Sequence, residues 1–135
     1  MAEMFELEIA TPERLLARTA AREAQIPAAN GYIGVLAEHA PLLAELGAGE
    51  MWYVETDGRR KCLALAGGWV EVLPDRVRVL ADRAERADEV DIARAQSALK
   101  RAQERLSETT PGVDIARALN AMKRAQARID AARDK

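Results

Sequence analysis

Hydrophobic positions change their period part-way along this chain. Phe5, Leu7 and Ile9 alternate with Glu6 and Glu8, the period of a strand buried on one face. Thr11-Pro12 then turns the chain. Residues 51–56 and 61–66 are apolar runs flanking Asp57-Gly58, a dipeptide that favours the positive φ angles of tight hairpin turns. Gly67-Gly68 breaks the second run, Trp69, Val70 and Val72 resume it, and Pro74-Asp75 turns into residues 77–80. Short strands spaced this way predict an antiparallel sandwich or barrel.

Beyond residue 81 the period lengthens and the chain repeats itself. Residues 90–106 read VDIARAQSALKRAQERL and residues 113–129 read VDIARALNAMKRAQARI, with 12 of 17 positions identical. Both copies hold strong helix formers and no internal Gly or Pro, whereas SETTPG between them breaks a helix. A helix–turn–helix hairpin is predicted. Ile92, Ala95, Leu99, Ala102 and Leu106 form one apolar stripe; Ile115, Ala118, Met122, Ala125 and Ile129 form the other. The two stripes are expected to face each other, with alanines permitting close approach.

Composition sharpens the division. Residues 1–80 carry 8 basic and 12 acidic side chains, residues 81–135 carry 12 and 10, and all five aromatic residues lie in the first part. The whole chain has a net charge of −2, so no bulk field recruits nucleic acid or anionic lipid. A single cysteine, Cys62, excludes an intramolecular disulfide and is read as a small core residue. No apolar run is long enough to span a bilayer, and the expectation is a soluble, cytoplasmic chain. The single histidine, His39, precludes a His–His metal pair and reads as a structural loop residue. No phosphate-loop motif occurs, which argues against a self-sufficient ATPase.

The polar face of the repeat carries the candidate chemistry. Asp91, Arg94, Arg101 and Arg105 cluster within about 80° of helix arc at 100° per residue, and Asp114, Arg117, Arg124 and Arg128 repeat the spacing. In an antiparallel pair of like helices, the pseudo-two-fold axis keeps both arginine flanks on one side. Six guanidinium groups would then converge where an anion binds, their planar forks matching phosphate or carboxylate oxygens. The same pattern also fits a solvated face with Asp–Arg pairs at i,i+3, worth a few tenths of a kcal/mol each. A free-standing nucleotide-binding module and an Arg-rich scaffold or nucleic-acid protein remain alternatives. The hairpin's lack of stacking aromatics argues against nucleic acid.

Several segments resemble one family in order along the chain. The segment from Gly31 through GYIGVLAEHAPLL, then LAGGWVEV from Leu65, VRVLAD from Val77 and VDIARA from Val90 are similar to the epsilon subunit of bacterial F-type ATP synthase. The resemblance implies an N-terminal ten-stranded β-sandwich, residues 1–84, followed by a C-terminal antiparallel two-helix hairpin, residues 85–135. It implies a non-catalytic rotor-stalk subunit of a proton-translocating complex, peripheral on the cytoplasmic face of the cell membrane, with no direct membrane insertion and no nucleic-acid partner. Its partners would be the gamma subunit, the c-ring and, with the hairpin extended, the alpha and beta subunits of the catalytic head, where the hairpin blocks ATP hydrolysis. His39, Pro41 and Leu42, with the turn at Asp57-Gly58, are candidate docking positions. No cofactor is required, and ATP is a regulatory ligand in some relatives. By that likeness Glu85, Asp91, Arg94, Arg101, Arg124 and Arg128 are the candidate ATP-binding residues; Val90 replaces the family's Ile or Leu.

Overall fold

The computed structural model describes residues 3–108, 112 and 114–134. Seven strands come first: β1 (Phe5–Ala10), β2 (Leu15–Ala28), β3 (Gly31–Leu36), β4 (Leu42–Glu45), β5 (Ala48–Glu55), β6 (Arg60–Val72) and β7 (Arg76–Arg86). A 3-10 turn, Ala87–Glu89, leads to α1 (Ile92–Ser107) and α2 (Ile115–Arg133). Thr109, Thr110, Pro111 and Val113 lie outside the described residues, so most of the expected interhelical break does too; Gly112 is described and has φ 98°.

Ten strands are expected and seven are found among the described residues, because three long strands serve both layers. The first half of β2 pairs with β1, and its second half pairs with β5 and β3. Residues 60–66 of β6 pair with β5, and residues 69–72 pair with β4. The long strand β7 follows β6 throughout, while only its first half also pairs, in parallel, with β1. One layer therefore runs β4-β6-β7-β1-β2 and the other β7-β6-β5-β2-β3. Counted by layer, the expected sandwich is present.

Gly67-Gly68 is where β6 passes between layers. Gly68 has φ 111°, and a Cβ there would lie 2.1 Å from the Leu80 carbonyl oxygen, so β7 approaches as only glycine allows. Phe5, Leu7 and Ile9 of β1 enclose the core with Ile26, Val35, Met51, Leu65, Val70, Val72, Val77 and Val79, all at most 2% exposed. Their β-branched and aromatic weight suits a pleated, half-buried surface.

β7 runs two residues past the expected boundary at residue 84, so Glu85 and Arg86 belong to the sandwich. The strand continues because Glu85 and Arg86 still find partners, Ala64 and Leu63, on β6.

The hairpin is less symmetrical than its repeat. Of the residues expected along its two stripes, Ala95, Ala102, Ala118, Ala125 and Ile129 are buried, while Ile92 and Ile115 remain 46% and 61% exposed. Only the second copy gains a further face. Ala127 and Ala131 of α2 pack on Ala64 of β6, and α1 rests chiefly on α2. The apolar cluster at this contact is all alanine, which buries little area per residue, and α2 also lies along β5.

Candidate functional site

A crevice of about 490 Å³ lies between the hairpin and the sandwich. That volume falls within the usual range for small-ligand sites. Its floor is Ala64, Leu65 and Ala66 of β6, its helical wall Ala98, Ala121, Arg124, Ala125 and Arg128, and its other wall residues 82–85 of β7. Thr11, Glu13 and Arg14, from the turn between β1 and β2, close one end. Four arginines and three carboxylates line it, with both helical charges positive.

Three of the six predicted ATP-site residues line this crevice: Glu85, Arg124 and Arg128. The Arg128 Nε lies 2.7 Å from Glu85 Oε1, too obliquely for a hydrogen bond, and its Nη2 donates to Oε2 at 3.5 Å. An anion entering the crevice would compete with Glu85 for this guanidinium. Arg124 makes no ion pair among the described residues.

The other three do not line the crevice. Asp91 caps α1, its Oδ1 accepting from the Arg94 amide at 3.0 Å, and Asp114 caps α2 identically through Arg117. The repeated aspartate thus satisfies a helix-end donor, which a carboxylate does well at the positive end of the helix dipole. Arg94 and Arg101 are exposed on α1. At 100° per residue they stand about 40° and 60° around the helix from Ala98, on the same flank. They stand outside the crevice lining, whereas Arg124 and Arg128 belong to it.

Sequence reasoning missed the groups that hold the connection between sandwich and hairpin. Arg14 forms a two-pronged pair with Glu89, Nη1 to Oε2 at 2.7 Å and Nη2 to Oε1 at 2.9 Å, and also donates to the Ala84 carbonyl. Glu89 accepts from the Arg86 amide, while Arg86 Nη2 donates to the Leu16 carbonyl at 2.7 Å. The hydrogen bond from Arg14, then that from the Arg86 amide, holds the Glu89 carboxyl down at about 2. An acid held below its ordinary value favours the tethered connection above about pH 4.5, and this is lost as pH falls through 2. Arg14 and Glu89 are 75 residues apart, so no periodic pattern joins them.

The layer remote from the hairpin carries the predicted docking loop. His39, Pro41 and Leu42 lie between β3 and the start of β4. His39 is half-buried with Nδ1 2.7 Å from the Ala40 carbonyl, while Pro41 and Leu42 are exposed. Next to this loop, the outer face of the layer bears Leu43, Trp69 and Leu80, exposed by 67%, 53% and 47%. Trp69 pairs directly with Leu80 and with Glu45, two residues from Leu43, so the three adjoin. The alternation that buries Val70 and Val79 sends Trp69 and Leu80 outward.

Known proteins resemble the whole of this arrangement. The family model described as the ATP synthase delta/epsilon chain β-sandwich domain matches residues 4–87, and that for the long α-helix domain matches residues 88–133. The ATP synthase epsilon chain of Koribacter versatilis is 52% identical over 111 residues, covering 82% of this chain and 78% of its own. That of Solibacter usitatus is 54% identical over 103 residues, 76% of each. A chain in the Euglena gracilis mitochondrial ATP synthase OSCP/F1/c-ring structure shares the fold, with TM-score 0.84 at 19% identity, over 98% of this chain and 82% of that one. Among the described residues no helix is long and apolar enough to cross a membrane. With both family models matched in order and relatives above half identity, the chain belongs to the ATP synthase delta/epsilon family, among its epsilon chains.

Proposed function

We propose that this chain is a non-catalytic rotor subunit, docked by its sandwich and regulating ATP hydrolysis through its hairpin. The observation that carries the reading is a hairpin whose apolar cluster against the sandwich is three alanines, beside a crevice with two arginines on its helical wall. An arm so held needs only a few kcal/mol to change position. ATP entering the crevice would bind Arg124 and Arg128 through charge-assisted hydrogen bonds, with Arg94 and Arg101 on the neighbouring flank of α1, and would stabilise the folded-down arm. Its chemistry there is that of a ligand; no group in the crevice is asked to cleave it.

The gamma subunit and the c-ring are the docking partners in this reading, with the alpha and beta subunits meeting the hairpin when it extends. Solved relatives belong to an F1/c-ring assembly and to a central stalk with its c-ring, which supports the first two. The complex translocates protons, and the subunit sits peripherally on the cytoplasmic face of the membrane. The apolar triplet Leu43, Trp69 and Leu80, with the His39–Leu42 loop beside it, is the face offered to gamma. Exposed tryptophan in an apolar cluster is the residue type that most often anchors an interface.

Trp69→Ala is therefore expected to weaken gamma binding by about ten- to thirty-fold, an anchor's worth of roughly 2 kcal/mol. Its side chain lies outside the core, so the thermal midpoint of the isolated chain should barely move. Titration of purified gamma with the two proteins measures this. Equal affinities would remove this face from the interface.

A further inference from the structure

The outer face of the hairpin-covered layer holds two carboxylates in one cross-strand row, with Ala64 between Glu50 on β5 and Glu85 on β7. They meet opposite flanks of α2. Glu85 faces Arg128, its counter-ion. Glu50 faces Asp134 and Asp130, two more acids, near the C-terminal end of the helix. From β6 the same spot is faced by Cys62, whose Sγ donates to the Asp134 carbonyl at 3.5 Å, and by Arg60. The Arg60 guanidinium lies over the Trp52 ring, 4.5 Å from its centre. Lys135 lies outside the described residues.

Glu50 Oε2 is buried and, among the described residues, has no hydrogen-bond partner. Two ionised carboxylates offer only acceptors; one proton between them supplies the missing donor. The negative end of the α2 dipole adds to the repulsion when that proton is absent. We propose that Glu50 and Asp134 form a proton-operated latch, holding the end of α2 on β5 when they share a proton and releasing it when both are ionised.

Burial, followed by the contact with Asp134, pushes the Glu50 carboxyl up to about 7. The sign follows from linkage. An acid whose pKa is raised by docking favours the docked helix fully below its ordinary value of 4.5, and this is lost as pH rises from there to about 7. Docking should weaken by up to about ten-fold per pH unit in that window. The consequence for hydrolysis rests on the hairpin being a regulatory arm, but the latch is testable in the isolated chain.

Cys62, buried beneath the end of α2, is the chain's single thiol and reports release. Its rate of modification by a neutral thiol reagent is compared in the wild-type chain and in Glu50→Gln between pH 5.5 and 8. Comparing the two proteins at each pH cancels the ordinary ionisation of the thiol. Removing the Glu50 charge lowers the thiol's own pKa, which works against the expected result. The wild-type to variant rate ratio should rise about ten-fold across this range. A flat ratio overturns the latch. Should Glu50→Gln fail to fold, Asp134→Asn takes its place with the same expected rise and the same contradicting result. A pH-dependent release without any effect on hydrolysis would leave the latch standing and refute the regulatory arm.

Discussion

Replacing Arg124 by alanine is expected to cost the isolated chain about ten- to a hundred-fold in ATP affinity, the worth of one charged hydrogen bond of roughly 1.5–3 kcal/mol. Arg124 is the expected leader because it lines the crevice and makes no ion pair among the described residues. Arg128 must first exchange Glu85 for phosphate, so part of its gain is spent. Removing both should leave binding too weak to measure, because the two share one ligand and one wall. The fold should persist, since neither arginine belongs to the buried stripes of the hairpin. Lys123 is the control: it lines a different groove, with Tyr32 and Asp130, and its alanine variant should bind ATP as the parent does. Calorimetric titration with magnesium present makes the comparison. No binding by the parent at millimolar ATP, or an equal loss in Lys123→Ala, would end the sensor reading. The arginines would then serve as contacts for acidic surfaces of the catalytic head.

The second large effect is on folding. Gly68→Ala should destabilise the sandwich by on the order of 3 kcal/mol. Two costs add at one atom. The backbone sits at φ 111°, which L side chains rarely adopt, and the new Cβ would lie 2.1 Å from the Leu80 oxygen and 2.8 Å from the Ala81 Cα. Neither obstacle is a side chain that can swing away. Relief would require β6 and β7 to separate at the crossing between layers. Chemical denaturation should show a lowered midpoint, and Gly58→Ala offers a useful comparison. Gly58 also has positive φ, 88°, yet nothing lies within 4 Å of its Cβ position, so only the backbone cost applies and the loss should be smaller.

Much of the fold was legible because local signals agreed with tertiary demands. The alternation at Phe5, Leu7 and Ile9, the Asp57-Gly58 turn and the repeated helices all survive in the structure. β2 was not legible. Its sequence, LLARTAAREAQIPA, is rich in helix formers, and a strand forms because β1 claims one half while β3 and β5 claim the other. The strand count was similarly hidden: sequence cannot say that one continuous run will bend and serve two layers. In the candidate site, the repeat singled out Arg124 and Arg128, which line the crevice, and gave Asp91 the same standing. Its Oδ1 is committed to a helix cap, a role that Asp at the start of a periodic run signals by itself. Arg14, Glu89 and Glu50 were invisible because their partners come from distant strands and turns. Contacts of that range exist only once the sheet has brought them together.

A detachable, regulatory hairpin requires that the sandwich alone can join the complex. All the large, fully buried side chains lie within the sandwich, so a chain lacking residues 88–135 should fold and assemble with gamma and the c-ring. ATP hydrolysis is then measured for the assembled complex carrying either the whole chain or the shortened one at equal occupancy. Several-fold faster hydrolysis is expected with the shortened chain. Equal rates, from complexes shown to contain their respective chains, would rule out a regulatory hairpin.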